Sequence, residues 1–447
     1  MAVSSLTAIC SLMTKHESHK PHRTQRISVP FVSTLCACWF IFFLLTLSGV
    51  LLKPSPVKDP CAKRLCRIPP YLFAELDALK AATRGDIIDF GVGDPDLPTP
   101  KPIIQAMNRA LKNPAHHRYP TYNGMAIARQ AAAEWYERRF NVKLDPETEV
   151  CMLLGSKEGI GHLIWGMVGP GDRVAVPDPA YMIYRHQALL AGAQPVMMPL
   201  REKNGFIVDL DDVRDKSRLK LMLLNYPSNP TAGVASRKFY EEAVVLAHKH
   251  DFFVVNDNVY SELYFEHKPI SLLQVPGSLE RCVEFHSLSK TYSMTGWRIG
   301  FAVGNRDLIK AMLAIKQNTD SGPFQAIQEA AVYALKHGER FAEANRAVYR
   351  ERRDELLQGL NRIGWPVRKP EATFYVWAKL PRGRDSMGFT RQLLAKHQVL
   401  VTPGIGMGPH GEGYVRFALT APKIRIREAI RRMARTISAG PPAASEP

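Results

Sequence analysis

From residue 149 onward the chain repeats one pattern: a short apolar run, a turn of Gly, Pro, Ser, Asn or Asp, then a stretch of helical spacing. The apolar runs at 149–154, 173–176, 220–225, 252–255 and 300–304 are of strand length. Strands that alternate with helices predict an α/β architecture. A chain of 447 residues has room for one large unit of this kind with an appendage.

The residues suited to chemistry stand where these runs end. The first run leads into Gly155-Ser156-Lys157 at a helix start. Backbone amides and a hydroxyl at the positive end of a helix bind phosphate, although most helix starts look similar. The second run ends in Pro177-Asp178-Pro179-Ala180-Tyr181. The third enters Asn225-Tyr226-Pro227-Ser228-Asn229-Pro230-Thr231, where an Asn held before Pro can aim its amide at a phenolic oxygen. The fourth ends in Asn256-Asp257-Asn258-Val259-Tyr260. A carboxylate at the end of a buried strand is costly unless it meets a cation.

The densest stretch is 285–305, FHSLSKTYSMTGWRIGFAVGN, centred on Lys290. Ser287 and Ser289 precede the lysine, and Arg298 follows eight residues later. The amine can form a Schiff base with an aldehyde, and the hydroxyls and the Arg can hold a phosphate. A lone Ser-x-x-Lys is usually a polar turn; here other motifs accompany it. Arg416 lies in the apolar run GYVRFAL at 413–419, and a buried Arg needs a carboxylate.

In this order, from about 67 to 435, the segments resemble the fold-type I, pyridoxal-phosphate-dependent aminotransferases of class I/II. The subgroup most similar is the bacterial LL-diaminopimelate aminotransferases, through PPYLFAEL, GVGDPDLPTP and the Lys290 stretch. The resemblance implies a large domain, 96–334, with a mostly parallel seven-stranded sheet between helices. It implies a smaller α/β domain from 61–95 and 335–439. It implies that Lys290 carries pyridoxal 5′-phosphate and acts as the base. Asp257 then meets the pyridine nitrogen, Asn229 and Tyr260 the phenolic oxygen, and Tyr181 the ring face. Ser156, Lys157, Ser287, Ser289 and Arg298 fall at the phosphate site, with Tyr119 reaching the phosphate of a neighbouring subunit. The substrate carboxylate goes to Arg416, Asn229 and the Gly93 amide, and Tyr71 reaches the substrate. Partners are an amino acid, 2-oxoglutarate and a second copy of the chain in a homodimer with shared sites, Tyr119 and the loop 317–323 lying at the interface. The chain departs from the pattern at Ala232, where Gly is usual, and at Tyr122-Asn123, where some subgroup members carry Glu-Gln. Aspartate and alanine aminotransferases share the cofactor motifs, and a lyase on the same fold is the remaining enzyme reading.

The net charge of +17 is scattered, without a basic run interleaved with aromatics, and predicts no nucleic-acid partner. Five of the seven cysteines precede residue 67, and the other two have no metal-ligand spacing, so neither a zinc site nor a disulfide framework is expected. Residues 1–60 contain an uncharged run at 31–52, long enough to span a bilayer. It is read either as an anchor or as the product of a misassigned start. The catalytic body is expected in the cytoplasm, with membrane attachment only if 31–52 is translated and inserted. The Pro/Ala-rich tail 440–447 is expected to be disordered.

Overall fold

The computed structural model describes residues 61–213, 216–381 and 383–437; the run 31–52 and the tail 440–447 lie outside them. Among the described residues no helix is long and apolar enough to cross a membrane. The strands are β1 (Ile88–Asp89), β2 (Val150–Leu153), β3 (Arg173–Asp178), β4 (Gln194–Pro199), β5 (Leu219–Leu224), β6 (Phe253–Asp257), β7 (Cys282–Ser287), β8 (Gly300–Gly304), β9 (Tyr375–Lys379), β10 (Val399–Leu400), β11 (Thr402–Pro403) and β12 (Tyr414–Ala418). The helices used below are α1 (Leu72–Ala82), α2 (Ala126–Phe140), α3 (Ser156–Met167), α4 (Ile183–Leu190), α5 (Leu288–Thr291) and α6 (Arg306–Thr319).

Seven strands form the main sheet in the order β2-β8-β7-β6-β5-β3-β4. Only β8 runs against its neighbours. β2 and β7 are buried along their whole length, as expected of a sheet covered on both faces. One apolar cluster packs Leu153 and Phe285 against Ile160 and Leu163 of α3 and Met312 of α6. Another fills the opposite side around Trp135 and Tyr136 of α2. Full burial of a Leu, Ile or Phe side chain contributes roughly 1.5–3 kcal/mol, so these layers hold the strand ends rigidly.

Two smaller sheets form from pairings distant in sequence. β1 pairs in parallel with β10, and β12 lies between β11 and β9 in an antiparallel sheet. The pairing Arg416↔Trp377 places Arg416 on the central strand of that sheet. Its core joins Ile88 and Phe90 to Phe374, Val376 and Phe417.

Two boundaries differ from the sequence reading. The segment 317–323, expected as a loop, begins with the last turn of α6. Lys316 is fully buried, and its Nζ bonds to Glu158 Oε1 at 3.2 Å and Asp320 Oδ1 at 2.7 Å, which pins that turn. The strand expected from Thr373 starts at Tyr375, because Thr373 takes a positive φ of 66° and its Oγ1 accepts from Tyr375 N at 3.1 Å.

Candidate active site

The carboxyl ends of β2, β3, β5, β6 and β7 open on one cavity of about 650 Å³, the usual place for a ligand in an open α/β sheet. It brings together Tyr71, Gly93, Ser156, Lys157, Tyr181, Asn229, Asp257, Tyr260, Ser287, Ser289, Lys290, Arg298 and Arg416, thirteen of the fourteen residues expected from the sequence. Tyr119 is the exception. It is 89 % exposed on its loop and does not line the cavity of its own chain.

Lys290 sits in α5, a single turn capped by Ser287, whose hydroxyl accepts from Ser289 N at 3.2 Å. The cap turns the chain at the end of β7 and points the lysine into the cavity. Its Nζ donates to Gly93 O at 2.7 Å and lies over the Phe374 ring. Burial lowers its pKa to about 8, with Asp94 opposing. Asp257, at the end of β6, moves the other way. Burial raises its pKa to about 7, against the pull of the Tyr184 hydroxyl and of Lys290. Tyr184 donates to Oδ2 at 2.7 Å, and Oδ1 is buried without a partner.

Arg416 is 1 % exposed. Nη1 donates to Asn229 Oδ1 at 2.7 Å, and Nη2 to Gly91 O at 2.7 Å and Thr402 Oγ1 at 3.2 Å. All three are neutral acceptors, and Nε is left without a partner. The carboxylate that a buried Arg calls for is therefore absent from its hydrogen bonds. Because Arg only donates, its bond fixes the Asn229 amide with oxygen toward Arg416 and nitrogen free to donate.

Gly155 takes φ 89° before α3, and a side chain there would collide with Arg298 Nη2. Arg298 donates to Leu154 O at 3.2 Å and Thr295 O at 3.0 Å, which holds its guanidinium against the start of α3. Ser289 Oγ is buried without a partner. Lys157 Nζ lies 5.5 Å from the centre of the Tyr71 ring.

A sequence profile of aminotransferase class I and II matches residues 85–433. The chain belongs to the class I and II aminotransferases. It is 48 % identical over 376 residues to an LL-diaminopimelate aminotransferase of Aquifex aeolicus, covering 83 % of this chain and 97 % of that one. Among solved structures, substrate-bound BacF from Bacillus subtilis matches with a TM-score of 0.81 and 34 % identity, over 85 % of this chain and 98 % of that one. A mutant of the Thermus thermophilus aspartate aminotransferase matches with a TM-score of 0.79 and 30 % identity, over 84 % and 99 %.

Aminotransferases of this family use pyridoxal 5′-phosphate, and the cavity fits it. The orphaned Asp257 Oδ1 suits a protonated ring nitrogen, and the start of α3 with the Arg298 guanidinium against it and the unpartnered Ser289 hydroxyl in the same cavity suits a phosphate. The neutral fraction of Lys290 near pH 8 suits attack on an aldehyde.

Three residues of this aminotransferase's site escaped the sequence reading. Tyr375 bonds to the Tyr260 hydroxyl at 3.1 Å, lies under Arg416 with the guanidinium 4.3 Å from its ring centre, and leaves no room for a side chain at Gly93. Nothing marks it in the apolar run around it. Tyr184, the partner of Asp257, stands one residue into α4 and carries no local signal. Asn225 did have one, as a polar residue ending a buried strand. Its Nδ2 donates to Asp257 O at 2.7 Å, and its Oδ1 accepts from Asn229 N at 2.8 Å. Among the described residues the one close group of metal-ligating atoms is Glu158, His162 and Asp320, and the Lys316 ammonium bonds to both of its carboxylates.

Proposed function

We propose that this aminotransferase moves an amino group from LL-2,6-diaminopimelate to 2-oxoglutarate. The reading is carried by 48 % identity along 97 % of the length of a relative of that name. Bound pyridoxal phosphate supplies a ring that accepts the electron pair left when the Cα–H bond breaks. Lys290 Nζ takes the Cα proton and returns it on the other side of the transfer. Asp257 Oδ1 holds the ring-nitrogen proton, and Asn229 Nδ2 and the Tyr260 hydroxyl donate to the phenolic oxygen. Ser156, Lys157, Ser287, Ser289 and Arg298 bind phosphate, with Tyr181 against the ring. Arg416, its carboxylate place open, takes the α-carboxylate with the Gly93 amide, and Tyr71 lines the distal end. A panel of amino donors assayed by glutamate formed from 2-oxoglutarate tests the substrate. LL-diaminopimelate is expected to give the highest kcat/KM, and a preference for aspartate or alanine overturns the assignment.

The two arginines are expected to separate. Arg416→Ala raises KM for both the amino acid and 2-oxoglutarate, because each presents an α-carboxylate to the same guanidinium. At roughly 1.5–3 kcal/mol per charge-assisted bond, kcat/KM falls about ten- to several-hundred-fold while cofactor stays bound. Arg298→Ala weakens cofactor retention instead, and excess pyridoxal phosphate restores much of the rate. Cofactor loss in Arg416→Ala with retention in Arg298→Ala reverses the roles.

The active form is proposed to be a homodimer in which Tyr119 serves the partner's phosphate. Supporting this are the exposure of Tyr119 and its place outside its own cavity. Sedimentation is expected to show no active monomer, and full activity in a monomer rules the arrangement out.

A further inference from the structure

A charged group that the reaction leaves unused lies beneath the cavity. Glu284, in β7, is fully buried. Its Oε1 accepts from Asn256 Nδ2 at 2.8 Å and from Leu272 N at 2.9 Å. Its Oε2 accepts from Ser271 Oγ at 2.6 Å and from the Tyr136 hydroxyl. Asn258 Nδ2 lies 3.4 and 3.3 Å from the two oxygens, and His286 Nε2 lies 3.7 Å from Oε2. Burial pushes its pKa up, but the nearby His286 imidazole and the bonds from Ser271 and Tyr136 outweigh that and hold it below the usual carboxylate range. None of these partners lines the cavity.

Asn256 and Asn258 flank Asp257 on either side in sequence. Side chains alternate along an extended strand, so the two amides point away from the face that carries Asp257. Glu284 is the β7 partner of Asn256, and Asn258 N donates to Phe285 O at 2.9 Å. Beyond it, Asn256 Oδ1 accepts from Tyr226 N at 3.1 Å, next to the Asn225 that holds both Asp257 O and Asn229 N. One carboxylate thus ties together the ends of β5, β6 and β7, which carry Asn229, Asp257 and Lys290. For packing alone an apolar side chain would serve, without the cost of burying a charge. A carboxylate with directed donors fixes orientation as well.

We propose that Glu284 is a positioning residue of the cofactor site, which clamps Asn256 and Asn258 and thereby holds Asp257 aimed at the ring nitrogen. This rests on the role assigned to Asp257 above. The test is titration of apoenzyme with pyridoxal 5′-phosphate followed by tryptophan fluorescence, with circular dichroism to establish folding. Glu284→Gln keeps the volume but removes the charge and sets an amide donor among donors. Its cofactor Kd is expected to rise roughly tenfold or more, the scale of losing a supporting partner behind a ligand-binding group. Combined with Asp257→Asn, the losses are expected to fall short of the product of the singles by about 2- to 100-fold, as for residues acting through one another. If Glu284→Gln does not fold, Asn256→Ala, which leaves the other donors on the carboxylate, is expected to show the same shortfall. A wild-type Kd for the Glu284 variant, or losses that multiply independently, overturns the proposal while Asp257→Asn alone still weakens binding. A wild-type Kd for Asp257→Asn overturns both.

Discussion

In the Lys290→Ala protein transamination falls by at least about 10²- to 10⁴-fold in kcat, the share that a positioned general acid–base group supplies. The cavity offers no substitute. Lys157 is the other lysine lining it, and its amine sits over the Tyr71 ring at the start of α3. Arginines stay protonated and cannot act as the base. Borohydride treatment of the loaded wild type is expected to fix the cofactor on the peptide containing Lys290, and label on another lysine ends the assignment. The pH dependence has a definite sign. Burial lowers the Lys290 pKa from 10.5 to about 8, so the neutral, nucleophilic fraction grows as pH rises through 8. Stopped-flow loading of apoenzyme with pyridoxal phosphate is therefore expected to speed up with a midpoint near pH 8. A midpoint near that of a free lysine places the amine in water.

Asp257→Asn is expected to damage the loaded enzyme and to stabilise the empty one. Removing one partner of a buried, hydrogen-bonded charge pair costs roughly 3–5 kcal/mol. That corresponds to about 10²- to 5 × 10³-fold in kcat/KM, because the ring nitrogen would lose the anion that keeps it protonated. In the apoenzyme the same carboxylate is a burden. Its pKa is raised from 3.8 to about 7, so the stability it contributes is present below the unfolded value and lost as pH rises through 7. Apo Tm should therefore fall between pH 4 and 8 in the wild type, fall less in Asp257→Asn, and cross over so that the variant melts higher at pH 8. A wild-type apoenzyme that melts as high as the variant, or higher, at pH 8 reverses this account. A site residue strained for function in this way is a familiar exchange of stability for activity.

Much of this was legible because strand ends are local features. A buried apolar run that stops at Asp257, or at Gly155-Ser156, announces both the strand and the polar residue it delivers, and four of the runs read this way end at one sheet edge. The Lys290 turn was legible for the same reason, since Ser287 caps it from three residues away. The extent of α6 was not, because its last turn is held by a buried Lys316 whose partner Glu158 lies 158 residues earlier.

The sequence by itself determined the α/β order, the residues at each strand end and the lysine proposed to carry the cofactor. Only the tertiary structure decided how these groups are oriented. Arg416 is joined to Asn229 across 187 residues and to Gly91 across 325, and that pair sets which end of the Asn229 amide can reach the ring. Tyr375 reaches Tyr260 across 115 residues, and Tyr184 reaches Asp257 across 73. Contacts of this kind leave no periodic trace, because periodicity records only which face of its own element a side chain occupies. Which distant group it meets there is set by how the elements pack, and that is where the charges of Lys290 and Asp257 acquire their shifted titrations.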